Sequence, residues 1–324
     1  MIRVRKWIIG IDLGGTTTKL AFITLEGEIT YKWEIPTDKR ANGENVASDI
    51  STAINQKLNE LNASKESIIG IGMGCPGPVD ETTGIVYEAI NIGWTNYPLQ
   101  EELSNATGMP VVIENDANIA ALGEMWKGAG SGSKDLVCIT LGTGVGGGVI
   151  VNGSLVSGAN GAAGEIGHLT VVTEKGFRCN CGKTGCLETV ASATGFVNLA
   201  MEHLDEHPES KITYILKQNG YITAKDVIDC AKVNDLYATE ILNRVSFYLG
   251  MTLANVANVL NPEKIVIGGG VSKAGSILLE NVRRFFEEYS FIRVKKSTQL
   301  SIATLGNDAG VIGAAWLVKS HLNE

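Results

Sequence analysis

The chain has no basic run longer than a few residues. Its 35 acidic residues outnumber 27 Lys and Arg, giving a net charge of −8. Nucleic-acid binding rests on clustered Lys and Arg that neutralise phosphates, so that class of partner is not expected. The chain also lacks an apolar run that reads as a membrane span. Residues 136–164 carry no charge and are long enough to cross a bilayer. They hold nine glycines with Asn152 and Asn160, which makes a poor membrane helix. The start, "MIRVRKWIIGID", has the basic-then-apolar order of a secretory leader, yet its apolar stretch, Trp7 to Ile11, is short and stops at Asp12. A cytosolic chain is expected. Six cysteines in a reducing compartment then point to metal ligands or buried thiols rather than disulfides.

What is present is length for two domains, at 324 residues, and glycine in unusual amount, 39 residues gathered in a few places. Clustered glycine brings backbone close to a ligand or through tight turns. The first forty residues read as strand, glycine turn, strand, turn, strand. "LVCITLGTGVGGGVIVNGSLV", from Leu136, repeats that layout. Aligning Asp12 with Thr140 matches Leu13–Gly14 to Leu141–Gly142. It also brings Glu26–Gly27 to Asn152–Gly153, both at expected hairpin turns, with two residues fewer between. This weak duplication implies two similar α/β lobes.

Between the repeats, residues 44–62 read as a helix, "SIIGIGMGCPG" as strand and loop, and "PVVIEND" as a strand entering the helix "ANIAALGEMW". Helical patterns follow at 194–206, 223–231 and 234–259. "KIVIGGGVS" is strand, glycine turn and a new helix at 275–289, "QLSIATLG" a strand, and 310–321 a final helix. Alternating strands and helices place the chain among α/β folds.

"DLGGTTTK", Asp12 to Lys19, joins two strands through a glycine-hydroxyl turn. Backbone N–H groups of such a turn, with Thr16, Thr17 and Thr18, can hold phosphate oxygens. An ordinary hairpin needs neither three threonines nor a strand-borne aspartate, which favours the phosphate reading. "GTGVGGG" has dinucleotide-fingerprint spacing at Gly142, Gly144 and Gly147, but that fingerprint must open a helix. A strand and hairpin follow here, so a second phosphate hairpin is the better account. "IGGGVS" does run from strand through glycines to helix, which suits a nucleotide over a helix N-terminus. In "IENDAN", one of Asn115 and Asp116 would serve as an N-cap. The run Glu114, Asn115, Asp116, Asn118 exceeds what capping needs, and a strand-end carboxylate is a candidate general base.

"CNCGKTGC", residues 179–186, offers a phosphate loop or a metal site. The loop needs a glycine five places before Gly182, where Phe177 stands, and no helical pattern follows. The metal reading needs a fourth ligand. His168, eleven residues before Cys179, completes a Cys₃His set with Cys181 and Cys186, and soft sulfur with imidazole selects zinc. Four protein ligands leave no open position, so such an ion is structural. Cys75, Cys138 and Cys230 sit among apolar neighbours and are expected as core thiols.

Together, "GIDLGGTTTK", "CPGPVD", "ENDANIAALGE", "LGTGVGGG", "GAAGEIGH", "CNCGKTGCLE" and "IGGGVS" resemble the bacterial ROK family (repressor, open reading frame, kinase), most closely its glucokinases. The pairing of "GEIGH" with "CNCGKTGCLE" is the specific part. The resemblance covers nearly the whole chain and implies a two-lobe, actin-like ATPase fold of hexokinase type. The lobes would be 1–113 with 310–324, and 114–309, with ATP and sugar between them. Repressors of the family carry a DNA-binding segment ahead of the first strand; this chain opens directly on that strand, which implies the kinase branch.

Carried over by position, the resemblance makes Asp116 the catalytic base and has Asn115, Asp116, Glu165, His168 and Glu188 hold the sugar hydroxyls. Asp12 would face Mg²⁺, with Gly14, Gly15, Thr16, Thr17, Thr18, Lys19, Thr143 and Gly144 around the phosphates. Gly268, Gly269 and Gly270 would lie near the adenosine. The implied activity is ATP-dependent phosphorylation of glucose at its 6-hydroxyl. Rivals are another hexose (fructose, mannose or an N-acetylated hexosamine) and a non-catalytic sugar sensor. A homo-oligomer, dimer or tetramer, is the expected assembly.

Overall fold

A computed structural model describes residues 6–322. Met1 to Arg5, within the leader-like start, and Asn323 and Glu324, at the end of the 310–324 segment, lie outside the described residues. The first half runs β1 (Trp7–Leu13), β2 (Thr17–Ile23), β3 (Ile29–Pro36), α1 (Val46–Glu60), β4 (Ile68–Cys75), β5 (Val86–Ala89), β6 (Trp94–Tyr97), α2 (Leu99–Thr107), β7 (Val111–Asn115) and α3 (Asp116–Lys127). The second half opens on β8 (Leu136–Leu141), β9 (Val145–Val151) and β10 (Ser154–Leu155). Five helices follow: α4 (Glu188–Ala191), α5 (Ala193–Glu202), α6 (Lys211–Asn219), α7 (Ala224–Lys232) and α8 (Leu236–Leu260). The chain closes with β11 (Lys264–Gly268), α9 (Ser276–Tyr289), α10 (Ile292–Ser297), β12 (Gln299–Ile302) and α11 (Ala309–His321).

The duplication seen in the sequence is a duplication of topology. One sheet has the order β3-β2-β1-β4-β7 and the other β10-β9-β8-β11-β12. In each, an antiparallel meander leads from the outer strand to the central one, and parallel pairs follow: β1 with β4 and β4 with β7, then β8 with β11 and β11 with β12. Central strands covered on both faces need continuous apolar runs, and "WIIGIDL" and "LVCITL" supply them. Asn152 and Gly153 both take positive φ, at 54° and 81°, the backbone that a two-residue hairpin turn between β9 and β10 requires.

Two helices tie the sheets together. α11 is buried on nearly every side, as its apolar sequence "AGVIGAAWLVKSH" demands. It packs on α3, β1 and β4. At its crossing with α3, a Cβ added to Gly313 would lie 1.6 Å from the Ile119 carbonyl oxygen, so the two backbones touch with no side chain between. The elements without a clear pattern in the sequence are short ones: α2, α4, α6, α10 and the β5–β6 hairpin, where Trp94 and Tyr97 stack at 4.5 Å.

Candidate functional site

The glycine turns of the two sheets end in matching pairs of unpaired amides. In the first, Gly14 N donates to the Thr17 carbonyl at 3.1 Å, and Thr37 clamps the turn from outside. The Thr37 hydroxyl donates to the Gly14 carbonyl at 2.7 Å and contacts Thr18 Oγ1 at 2.9 Å, while Thr37 N donates to the Thr16 carbonyl. In the second, Gly142 N donates to the Gly144 carbonyl at 2.9 Å. Among the described residues, the N–H groups of Gly15 and Thr16 find no acceptor, nor do those of Thr143 and Gly144. These are equivalent positions under the alignment of Asp12 with Thr140. Two adjacent free amides in a tight turn form a concavity that binds anions. Asp12 sits opposite Lys19 across β1 and β2, and Lys19 Nζ lies 3.0 Å from its Oδ2.

The polar run at the end of β7 divides its labour. Glu114 is buried; its Oε1 accepts from Asn115 N at 2.7 Å and Asn118 Nδ2 at 3.0 Å, and burial pushes its pKa up. Asn115 is the N-cap of α3, its Oδ1 accepting from Ala117 N and Asn118 N, and its Nδ2 donates to the Gly77 carbonyl at 3.1 Å. Asp116 is left exposed at the start of α3. Protein on its other sides strips part of its hydration. The charges of Asp12 and Glu165 work in the same direction, against an N–H bond from Ala117 and one from the Asn115 side chain. The net effect raises its pKa from 3.8 to about 6. A carboxylate ionised at neutral pH, yet basic enough to take a proton, has the character of a general base.

The cysteine cluster folds into a knot beside the second turn. Bridges join Thr170 to Cys186 and Arg178 to Thr184, and Gly182 N donates to the Cys179 carbonyl, so the "GKT" forms a turn and opens no helix. The donor atoms of His168, Cys179, Cys181 and Cys186 all lie within 4.8 Å of one another. Cys179 Sγ is 3.5 Å from His168 Nδ1, and Cys181 Sγ is 3.6 Å from Cys186 Sγ. A tetrahedral ion with zinc-like bond lengths sets such pairs about 3.5–3.8 Å apart, so the set fits. His168 turns its other nitrogen, Nε2, toward Glu165 Oε2 at 3.7 Å. Gly167 presses against β9, where an added Cβ would meet the Val145 carbonyl oxygen at 2.1 Å. That contact brings Glu165 and His168 alongside the second turn. Glu188, two residues past Cys186, accepts from Val145 N at 3.0 Å through Oε2, and its Oε1 lies 3.7 Å from Cys179 Sγ. Cys75, Cys138 and Cys230 are buried and unpaired, as core thiols.

Beyond the second turn, β11 ends at Gly268, Gly269 turns with φ at 83° against the Leu141 backbone, and a short 3-10 turn over Val271–Ala274 separates Gly270 from α9. The helix after these glycines therefore begins one turn later than a direct strand-to-helix step would place it.

Three residues of the site have no motif around them in the sequence. Thr37 and Thr194 hold the turns through hydrogen bonds to residues that are 23 and 51 positions away. Asn91, at the tip of the β5–β6 hairpin, lies over the first turn; a Cβ placed on Gly15 would be 3.7 Å from Asn91 Cβ. The Asn91–Ile92–Gly93 stretch was the available turn signal.

A sequence model of the ROK family matches residues 8–321. The glucokinase of Halalkalibacterium halodurans is 54% identical to this chain, over 98% of it and 96% of the relative. The glucokinase of Thermotoga maritima is 37% identical, over 97% and 98%. A solved ROK family glucokinase from Streptomyces griseus, in complex with glucose and AMPPNP, matches the fold with a TM-score of 0.80 at 34% identity, covering 97% of this chain and 99% of that one.

Proposed function

The chain belongs to the ROK family, and from that membership and its site we infer an ATP-dependent hexose kinase that phosphorylates glucose to glucose 6-phosphate and ADP. The fold is the two-lobe, actin-like ATPase type with a sugar and ATP cleft. The observation that carries the residue-level reading is Asp116, an open carboxylate with a pKa raised to about 6, at the start of the helix that joins the two sheets.

In this reading Asp116 accepts the proton of the sugar 6-hydroxyl as its oxygen attacks the γ-phosphorus. Positioning and charge stabilisation supply the rest. The free amides of Gly15, Thr16, Thr143 and Gly144 face phosphate oxygens, with Thr17, Thr18 and Lys19 beside them, and Gly268 to Gly270 border the adenosine. Mg²⁺ arriving with ATP would neutralise phosphate charge, with Asp12 as the carboxylate that faces it. Asn115 commits its oxygen to the helix cap, one N–H to Gly77 and the other to Asp116, so it borders the sugar site by holding the Asp116 carboxylate in place. Glu165 and Glu188 accept hydrogen bonds from sugar hydroxyls. With Nδ1 of His168 turned to the metal set, its Nε2–H is the donor left for the sugar.

We propose that the ion held by His168, Cys179, Cys181 and Cys186 is zinc and that its role is structural. It would fix Glu165 and Glu188, on either side of the knot, relative to each other. We also propose lobes at 1–113 with 310–324 and at 114–309, a cytosolic location, and a dimer or tetramer. Six unpaired cysteines support the location, and among the described residues no helix is long and apolar enough to cross a membrane. Exposed Val259, Tyr289 and Phe291 cluster where Asn258 bonds to the backbone of residues 289 and 291, which supports self-association.

The test is a coupled assay of ADP release with glucose, mannose, fructose, galactose and N-acetylglucosamine under identical ATP and Mg²⁺. Glucose is expected to give the highest kcat/KM. A higher value for another sugar would leave the hexose-kinase reading and remove glucose as its substrate; no turnover with any would favour the sugar-sensing rival.

A further inference from the structure

The second glycine turn is held by one short segment of the chain, at three of its four residues. Ala193 N donates to the Gly142 carbonyl at 2.8 Å, and the Thr194 hydroxyl donates to the Thr143 carbonyl at 2.9 Å. Glu188 Oε2 accepts from Val145 N at 3.0 Å. All three partners lie between residues 188 and 194, which begin two positions after Cys186. The first turn has a related clamp, where Thr37 holds the carbonyls of Gly14 and Thr16. In both turns the clamp takes up two carbonyls and leaves the two central amides without an acceptor among the described residues. A carbonyl that swung inward would set its negative end against a phosphate. Tethering it outward keeps the turn an anion site.

We infer that the segment Glu188 to Thr194 is a clamp that preorganises the second turn for the nucleotide phosphates, with Thr194 and Glu188 as its positioning residues. The knot thereby acts on nucleotide binding as well as on the sugar carboxylates. This rests on the reading that the 142–145 turn faces the phosphates of ATP.

Thr194 is exposed and in the first turn of α5, so its hydroxyl can be removed without opening the core. The test measures the Kd of a non-hydrolysable ATP analogue by calorimetry, and KM for ATP and for glucose, in wild type, Thr194→Val and Thr194→Ser. Thr194→Val should weaken nucleotide binding about three- to tenfold, the worth of one hydrogen bond, with KM for glucose within about twofold of wild type. Thr194→Ser should restore it. A second pair separates the two duties of Glu188. Glu188→Gln keeps an oxygen for the Val145 N–H, so nucleotide Kd should hold while KM for glucose rises. Glu188→Ala should lose both. Equal nucleotide affinity in wild type and Thr194→Val, or no rescue by Ser, overturns the clamp alone. Wild-type protein that fails to bind the analogue overturns the nucleotide reading on which it rests.

Discussion

His168 holds its Nε2 3.7 Å from Glu165 Oε2 while its Nδ1 belongs to the Cys₃His donor set. One imidazole therefore borders both the cysteine knot and Glu165. A ligand that fixes the ring through Nδ1 also fixes the tautomer at Nε2, which must then carry the hydrogen. Damage to the knot should consequently appear in sugar binding.

Purified protein should contain about one zinc per chain by elemental analysis. Cys181→Ser, at the exposed cysteine of the set, should lower Tm and raise KM for glucose together if Glu165 and Glu188 hold the sugar as proposed, because both flank the knot. Metal-free protein with full activity in a strong chelator would contradict this.

Asp116→Asn retains shape and an acceptor for Ala117 N but cannot take a proton. Turnover should fall on the order of a hundredfold or more, with nucleotide Kd unchanged. Near-normal kcat would reduce Asp116 to a sugar contact.

The pH dependence follows from the same side chain. With a folded pKa of about 6, the fraction of Asp116 able to act as base falls as pH drops through 6, so kcat/KM for glucose should decline about tenfold per unit below it. The stability effect has a defined sign. The folded pKa lies above the unfolded value, so the folded state binds this proton more tightly. That contribution is fully present below about pH 3.8 and is lost as pH rises through about 6. Ionised Asp116 thus costs stability at neutral pH. Asp116→Asn should melt higher than wild type at pH 7.5, and the gap should close near pH 4.

Gly313→Ala should destabilise the fold by about 1–3 kcal/mol or more, since its Cβ would meet the Ile119 carbonyl oxygen at 1.6 Å where α11 crosses α3. Urea unfolding measures it. An unchanged midpoint would mean that the two helices separate without cost.

Glucose should exceed its 4-epimer galactose strongly in kcat/KM. A site built to pair a hydroxyl leaves carboxylates unpaired when that hydroxyl is inverted. Comparable efficiency for the two sugars would show that the C4 hydroxyl meets no protein group.

Features that depend on neighbours in the chain are legible from residue order alone. The apolar runs of β1 and β8, the glycine turns after them, the Asn152–Gly153 hairpin and the ligand spacing of Cys179, Cys181 and Cys186 are local patterns with local causes. The duplication was legible for the same reason, since each copy repeats one strand-turn-strand unit. How separated residues share work follows from the packing of the fold. Among Glu114, Asn115 and Asp116, composition allows either Asn115 or Asp116 to cap and any of the three to be buried or exposed. The pairing of β7 with β4 sets Cys75 beside Asn115, and the start of α3 at Asp116 makes Asn115 the cap and leaves Asp116 in the open. Glu188 reaches Val145 across 43 positions and Thr194 reaches Thr143 across 51. Asn91 lies over Gly15 because a hairpin with no strong pattern folds back across the first sheet. Such contacts are set by how two sheets and the crossing of α3 with α11 pack in space, and no spacing along a single strand or helix encodes them.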